Sequence, residues 1–134
     1  MQTYDPKILL AFGETFDEDN GESFFSWLMD NGYPELAALS SCIKGSKDAR
    51  DWLMKNKYTH FAALDGAIDQ KADAYAWLSK HGFELYIYFA DAIHKKPEAL
   101  RWFMDNNLEI FIHLAQKISD FGNRQNFDYH KIHF

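Results

Sequence analysis

Six histidines, one cysteine and twenty acidic side chains are the groups in this 134-residue chain that could do chemistry. His130 and His133, in YHKIHF, have the i, i+3 spacing that offers two metal ligands on one helical face. A zinc site needs a third or fourth ligand, and none is near in sequence. The acidic run Asp17, Glu18, Asp19, Asn20, Gly21, Glu22 has the composition of a calcium loop but not its geometry. Glycine falls at the fifth position where the sixth must turn, and the twelfth, which needs a bidentate Glu, is Leu28. A solvated loop beside a helix start is the expected reading. No GxSxG, HExxH, CxxC, phosphate-loop or GxGxxG string occurs. No catalytic residue, metal or cofactor is therefore expected.

Charge narrows the choice of partner. Residues 1–46 carry 8 acids and 2 bases, a net −6, which equals the charge of the whole chain, so residues 47–134 sum to zero. Nucleic-acid binding needs a basic stripe to neutralise phosphates, and no segment supplies one. Cys42, the only cysteine, can close no internal disulfide, which suits a reducing compartment. The apolar run Ile8–Phe12 is too short for a signal peptide or membrane span, so a cytoplasmic protein without membrane contact is expected.

The elements that must position these groups follow from a repeat. Trp27, Trp52, Trp77 and Trp102 are the only tryptophans and stand 25 residues apart. Aligned on them, residues 22–46, 47–71, 72–96 and 97–121 superpose without a gap. A fixed period of this kind is the signature of stacked supersecondary units. The first helix of each unit is expected to open at Ser23, Asp48, Asp73 or Glu98, where caps and acids favour the free amides. Its apolar stripe joins Phe24, Ala49, Ala74 and Ala99 to the tryptophans and to Leu28, Leu53, Leu78 and Phe103.

Asn31, Asn56, His81 and Asn106, followed by Gly32, Lys57, Gly82 and Asn107, mark a left-handed stop. Tyr33, Tyr58, Phe83 and Leu108 then sit where a Schellman motif places its apolar contact. The second helix carries an i, i+3, i+7 stripe through the columns of Leu36, Leu39 and Ile43. Cys42 shares a column with Ala67 and Ala92 and should be a buried small hydrophobe. Leu9, Phe12 and Phe16 repeat the second-helix spacing and predict an N-terminal capping helix. His60, His81, His94 and His113 fall in four different columns, so the repeat builds no shared histidine site.

The expected fold is thus all-α: one domain, a short α-α superhelix (α-solenoid) of four helix hairpins. Residues 1–21 would form a cap helix and acidic loop, and residues 122–134 a capping tail. Each tryptophan is expected in the core between successive units, with Trp77→Ala costing about 3–5 kcal/mol. The tail, with Phe121, Phe127, Tyr129, Ile132 and Phe134, is expected to fold back over the last units. The run AIDQKADAYAWLSKHG is similar in rhythm to the helix pair of ankyrin repeats. That resemblance implies stacked helix pairs. The TPLH signature is absent, the period is shorter than the roughly 33 residues of ankyrin, and no room for a β-hairpin finger exists between Gly82 and Glu84.

Second-helix positions that are polar or small early become apolar later, as Glu35 and His60 give way to Leu85 and Ile110. Tyr75, Leu85, Tyr86, Tyr88, Ile110 and His113 are therefore the candidate partner surface. The expected function is a non-enzymatic scaffold binding a protein or peptide partner, as a monomer or weak homodimer. The alternative is a small-molecule binding or enzymatic domain with an aromatic-lined pocket.

Overall fold

The computed structural model describes the backbone of residues 1–132 and the side chains of residues 1–125. Among the described residues it holds nine helices and no strand: α1 Pro6–Glu14, α2 Gly21–Asp30, α3 Pro34–Ile43, α4 Lys47–Lys55, α5 Thr59–Ile68, α6 Ala72–Lys80, α7 Glu84–Ile93, α8 Pro97–Asp105 and α9 Glu109–Ile132. Starts at 47, 72 and 97, and at 34, 59, 84 and 109, keep the 25-residue offset of the sequence.

The helix stops are where the residue types place them. Gly32, Lys57, Gly82 and Asn107 all have positive φ, from 56° to 87°. The amides of Tyr33, Tyr58, Phe83 and Leu108 reach back to the carbonyls of Leu28, Leu53, Leu78 and Phe103 at 2.8–2.9 Å, the long bond of a Schellman motif. The asparagines before the turn have a job the sequence reading missed. Asn31, Asn56 and Asn106 donate their side-chain amides to the carbonyls of Trp27, Trp52 and Trp102 at 2.7–2.8 Å, and His81 Nδ1 does the same for Trp77 at 2.9 Å. A second stop closes α3, α5 and α7 at Gly45, Gln70 and Lys95, all with positive φ. The helix starts differ from expectation by one or two residues: α4, α6 and α8 open at Lys47, Ala72 and Pro97, so the acids are second residues, not caps.

The helices sort into two layers. Odd-numbered helices pack on one another in order, and each even-numbered helix lies across two consecutive odd ones. The core is the set of columns read from the sequence: Leu28, Leu53, Leu78 and Phe103 are fully enclosed, as are Leu39, Leu64, Phe89 and Leu114. α1 joins them through Leu9 and Phe12, and Phe16, in the turn that follows it, is buried with them. Cys42 is buried beside the equivalents Ala67 and Ala92.

Two expectations are corrected. The tryptophans are not core residues: Trp27 and Trp52 are 41% and 37% exposed, while Trp77 and Trp102 are half-buried. The next residue in each helix, the Leu/Phe column, takes the core direction, and the indoles lie at the stripe's edge. There Trp27, Trp52 and Trp77 stack on Tyr33, Tyr58 and Phe83 with ring planes within 11° of parallel. Trp102, followed by Leu108 instead of an aromatic, stacks on Tyr88.

The second correction concerns the chain ends. The stretch after Ser119 does not turn back, because α9 runs on unbroken, and it packs on α1. Phe121 meets Phe16 edge-on, Arg124 Nη2 donates to the Phe16 carbonyl at 2.5 Å, and Lys117 pairs with Glu14 at 3.1 Å. Gly13 permits the approach, since a Cβ there would stand 2.7 Å from Leu114 Cδ2. The contacts α1–α3–α5–α7–α9–α1 therefore form a closed circuit, and the last unit has the first helix as its neighbour. Phe127, Tyr129, Ile132 and Phe134, expected to cap the array, lie outside the described side chains, as do His130 and His133.

Candidate functional site

Among the described residues, three concave regions could take a ligand. The largest, about 750 Å³, opens where α3, α5 and α7 end, with α9 as its wall. Its apolar lining comes from one column, Ile43, Ile68, Ile93 and Ile118, joined by Phe121. Asp65 and Cys42 also face it, both more than nine-tenths buried. Burial, and then the Asp65 carboxylate, push the Cys42 thiol up to about 12, so it is protonated and chemically quiet. Lys44 lines the same cavity, but its ammonium donates to the Thr15 carbonyl at 2.6 Å and lies over the rings of Phe16 and Phe121. Lys47 and Arg50 are exposed at the rim. His94 Nε2 donates to the Ile68 carbonyl at 2.7 Å.

Asp65 is the anomalous member. Its column is otherwise Ser40, Ala90 and Ala115, all buried and uncharged. The ion pairs among the described residues are Lys96–Asp91 and Lys117–Glu14, and Asp65 is in neither. Burial raises its pKa first and Asp69 adds to that, against smaller opposing effects of the Cys42 thiol, Arg50 and Lys71. The folded protein thus holds this proton more tightly than the unfolded chain. The charge costs stability at pH above the folded value, and the cost fades as pH falls toward the ordinary carboxylate range. Asp65→Asn is expected to melt at a higher temperature than wild type at pH 7, with the gap shrinking by pH 4. Equal melting temperatures at pH 7 would mean the carboxylate is compensated.

At the opposite end, where α3, α5 and α7 begin, the lining is aromatic. Glu35 is buried there and accepts hydrogen bonds from Tyr4 and Tyr58 at 3.1 and 3.5 Å. His60 stacks on Phe83 with planes 4° apart and also touches Phe61 and Tyr86. Burial lowers its pKa, which keeps the ring neutral and suits it to packing. A cavity of about 450 Å³ beside this cluster is lined by Phe83, Leu85, Tyr86, Trp102 and Leu108, with Met1 and Gln2 at its edge.

The third region is a groove of about 520 Å³ on the outer surface. Leu10, Ala11 and Phe24 with Trp27 form it between α1 and α2, and Lys7, Glu14 and Ser23 flank it. The acidic run begins at Asp17, three residues after Glu14. Its Asp17 carboxylate accepts from the amides of Asn20 and Asp19 at 2.9 and 3.1 Å, which lowers its pKa. The loop is a built turn: a Cβ on Gly21 would stand 2.7 Å from the Thr15 carbonyl oxygen.

The six surface residues singled out from the sequence differ in setting. Leu85 and Tyr86 line the aromatic cavity, although Tyr86 itself is buried. Tyr75 donates to Asp91 at 2.8 Å, Tyr88 is covered by Trp102, Ile110 is half-buried and His113 is exposed. The aromatic cavity holds Tyr86 and neither Tyr75 nor Tyr88 in its lining. What sequence reasoning missed is Asp65, and an acid in a column of small residues was the available signal. Compared with known proteins, the chain matches no family model, no curated protein and no solved structure.

Proposed function

We propose that this chain is a non-enzymatic scaffold that binds a peptide segment of a protein partner on its outer surface. In this reading it is a cytoplasmic, monomeric array of four helix-hairpin repeats, closed into a ring by α9 and not left as an open superhelix. The observation that carries the binding reading is where apolar surface is left uncovered. Leu10, Trp27, Met29, Trp52, Met54 and Met104 are the large apolar side chains most exposed, and all lie on α1 or on the outer helices α2, α4 and α8. Leu10 and Trp27 meet in a groove that can take an apolar anchor. Glu14 and Lys7 both line it, and the groove lies within residues 1–46, the segment that holds the chain's whole net negative charge. The partner's chemistry follows: an apolar or aromatic side chain flanked by lysine or arginine.

Selection from a displayed random-peptide library against the full chain tests this. Peptides pairing an apolar residue with basic ones should be enriched, and Leu10→Glu, at an exposed position, should lower their affinity tenfold or more without moving the melting temperature. No enrichment, or binders indifferent to Leu10→Glu, would overturn the reading.

A further inference from the structure

The cavity at the ends of α3, α5 and α7 has no part in that surface, and its chemistry is different. We infer that it binds a primary aliphatic ammonium ion, the charge on the Asp65 carboxylate and the hydrocarbon chain against Ile43, Ile68, Ile93 and Ile118.

The electrostatic half of the argument is the state of Asp65. A carboxylate offers about four lone-pair sites, and a buried one normally fills them with charged donors or several amides. Asp65 is 8% exposed and faces the cavity, and among the described residues the side-chain donor beside it is the Cys42 thiol, a weak one. The cations nearby do not complete it. Lys44 is held by the Thr15 carbonyl and two aromatic faces. Arg50, Lys47 and Lys71 are exposed, and among the described residues none of them forms an ion pair with Asp65. The last carbonyls of α3, α5 and α7 end around the same opening, and helix C-termini favour positive charge.

The apolar half is the isoleucine column, which brings four branched side chains to one mouth from four different helices. A cavity of about 750 Å³ has room for a chain of several carbons beside its charged head. A bare metal ion would find the Asp65 and Asp69 carboxylates in the lining but no third ligand with them, since no three potential ligands gather among the described residues. An anion would meet the Asp65 and Asp69 carboxylates in the lining. An ammonium head supplies three donors to the carboxylate, and its alkyl tail covers the isoleucines.

The test uses n-hexylammonium, n-hexanoate and n-hexanol as probes, followed through isoleucine methyl resonances of the full chain. Hexylammonium should give saturable shifts at Ile43, Ile68, Ile93 and Ile118 and none at Ile8, which lies on α1. Hexanol should bind at least tenfold more weakly, and hexanoate more weakly still. Asp65→Asn, nearly isosteric and checked for folding by its melting curve, should weaken hexylammonium at least tenfold. Arg50→Gln, which removes a competing cation, should leave its affinity unchanged or tighter. The proposal fails if hexylammonium does not saturate, if hexanol binds as well, or if Asp65→Asn binds like wild type. It fails equally if hexanoate binds better and loses affinity on Arg50→Gln, which would make the cavity an anion site. None of these outcomes bears on the α1/α2 groove, so the peptide-binding reading stands or falls separately.

Discussion

Leu53→Ala is expected to cost about 2–5 kcal/mol in urea denaturation, and Trp52→Ala beside it only about 1–2 kcal/mol, although tryptophan is the larger residue. Leu53 is fully enclosed, so truncation there leaves a cavity that packed neighbours cannot fill. Trp52 keeps more than a third of its surface in water and rests on one ring face against Tyr58, 6.1 Å away. Its removal forfeits part of a stack and opens no closed void. Trp77, half-buried between His81 and Phe83, should fall between the two, at less than a fully buried residue would cost. Equal losses at positions 52 and 53 would show that the indole column holds the units together after all.

The contrast shows what a period can and cannot reveal. Alignment at 25 residues marks columns that must do the same job in each unit, and the Leu28, Leu39 and Leu36 columns do so in the core. It cannot say which side of a helical stripe points inward. Trp27 and Leu28 are neighbours at the end of one stripe, and the direction of the packed partner helices chooses between them. Hydrophobicity alone favoured the wrong one. The asparagine column was legible as a stop but not as a donor to the tryptophan carbonyl, which depends on side-chain geometry at the cap.

Exceptions to the columns were more informative than the columns. Thr15, which closes α1, and Ser40, Asp65, Ala90 and Ala115 on α3, α5, α7 and α9 follow one another at the same spacing. Thr15 and Ser40 satisfy each other at 2.7 Å, and the two alanines need nothing. Asp65 alone is left with a thiol for company, and this marks the cavity as unlike an ordinary core. The later, greasier columns had suggested a surface awaiting a cover. They are instead half-buried by the units themselves, with Tyr88 under Trp102 and α9 lying on α1.

Closure between chain ends is the feature no local pattern could announce, and it predicts the second large effect. Phe16→Ala should destabilise the protein by about 3–5 kcal/mol, as truncation of a fully buried phenylalanine does. Its consequence should go beyond lost packing. The Phe16 ring is shared by Phe12, at 5.5 Å, and Phe121, at 5.8 Å, with the Lys44 ammonium 5.4 Å above it. Its carbonyl also receives Arg124. Every other odd-helix contact joins elements near in sequence, whereas this one joins the two ends and carries the full entropy of closing the chain. Without Phe16, α9 loses its seat and the Leu9, Phe12 and Leu114 surfaces are uncovered. An α9 released from its own α1 can occupy that of another copy, a head-to-tail contact that need not close. Phe16→Ala should therefore elute at larger size as its concentration rises, while Lys117→Ala, which removes a partly exposed ion pair worth about 0–1 kcal/mol, stays monomeric. If Phe16→Ala loses the expected stability yet remains monomeric at every concentration, α9 keeps its place through Leu114 and Gly13, and the seam is as strong as any other contact in the ring.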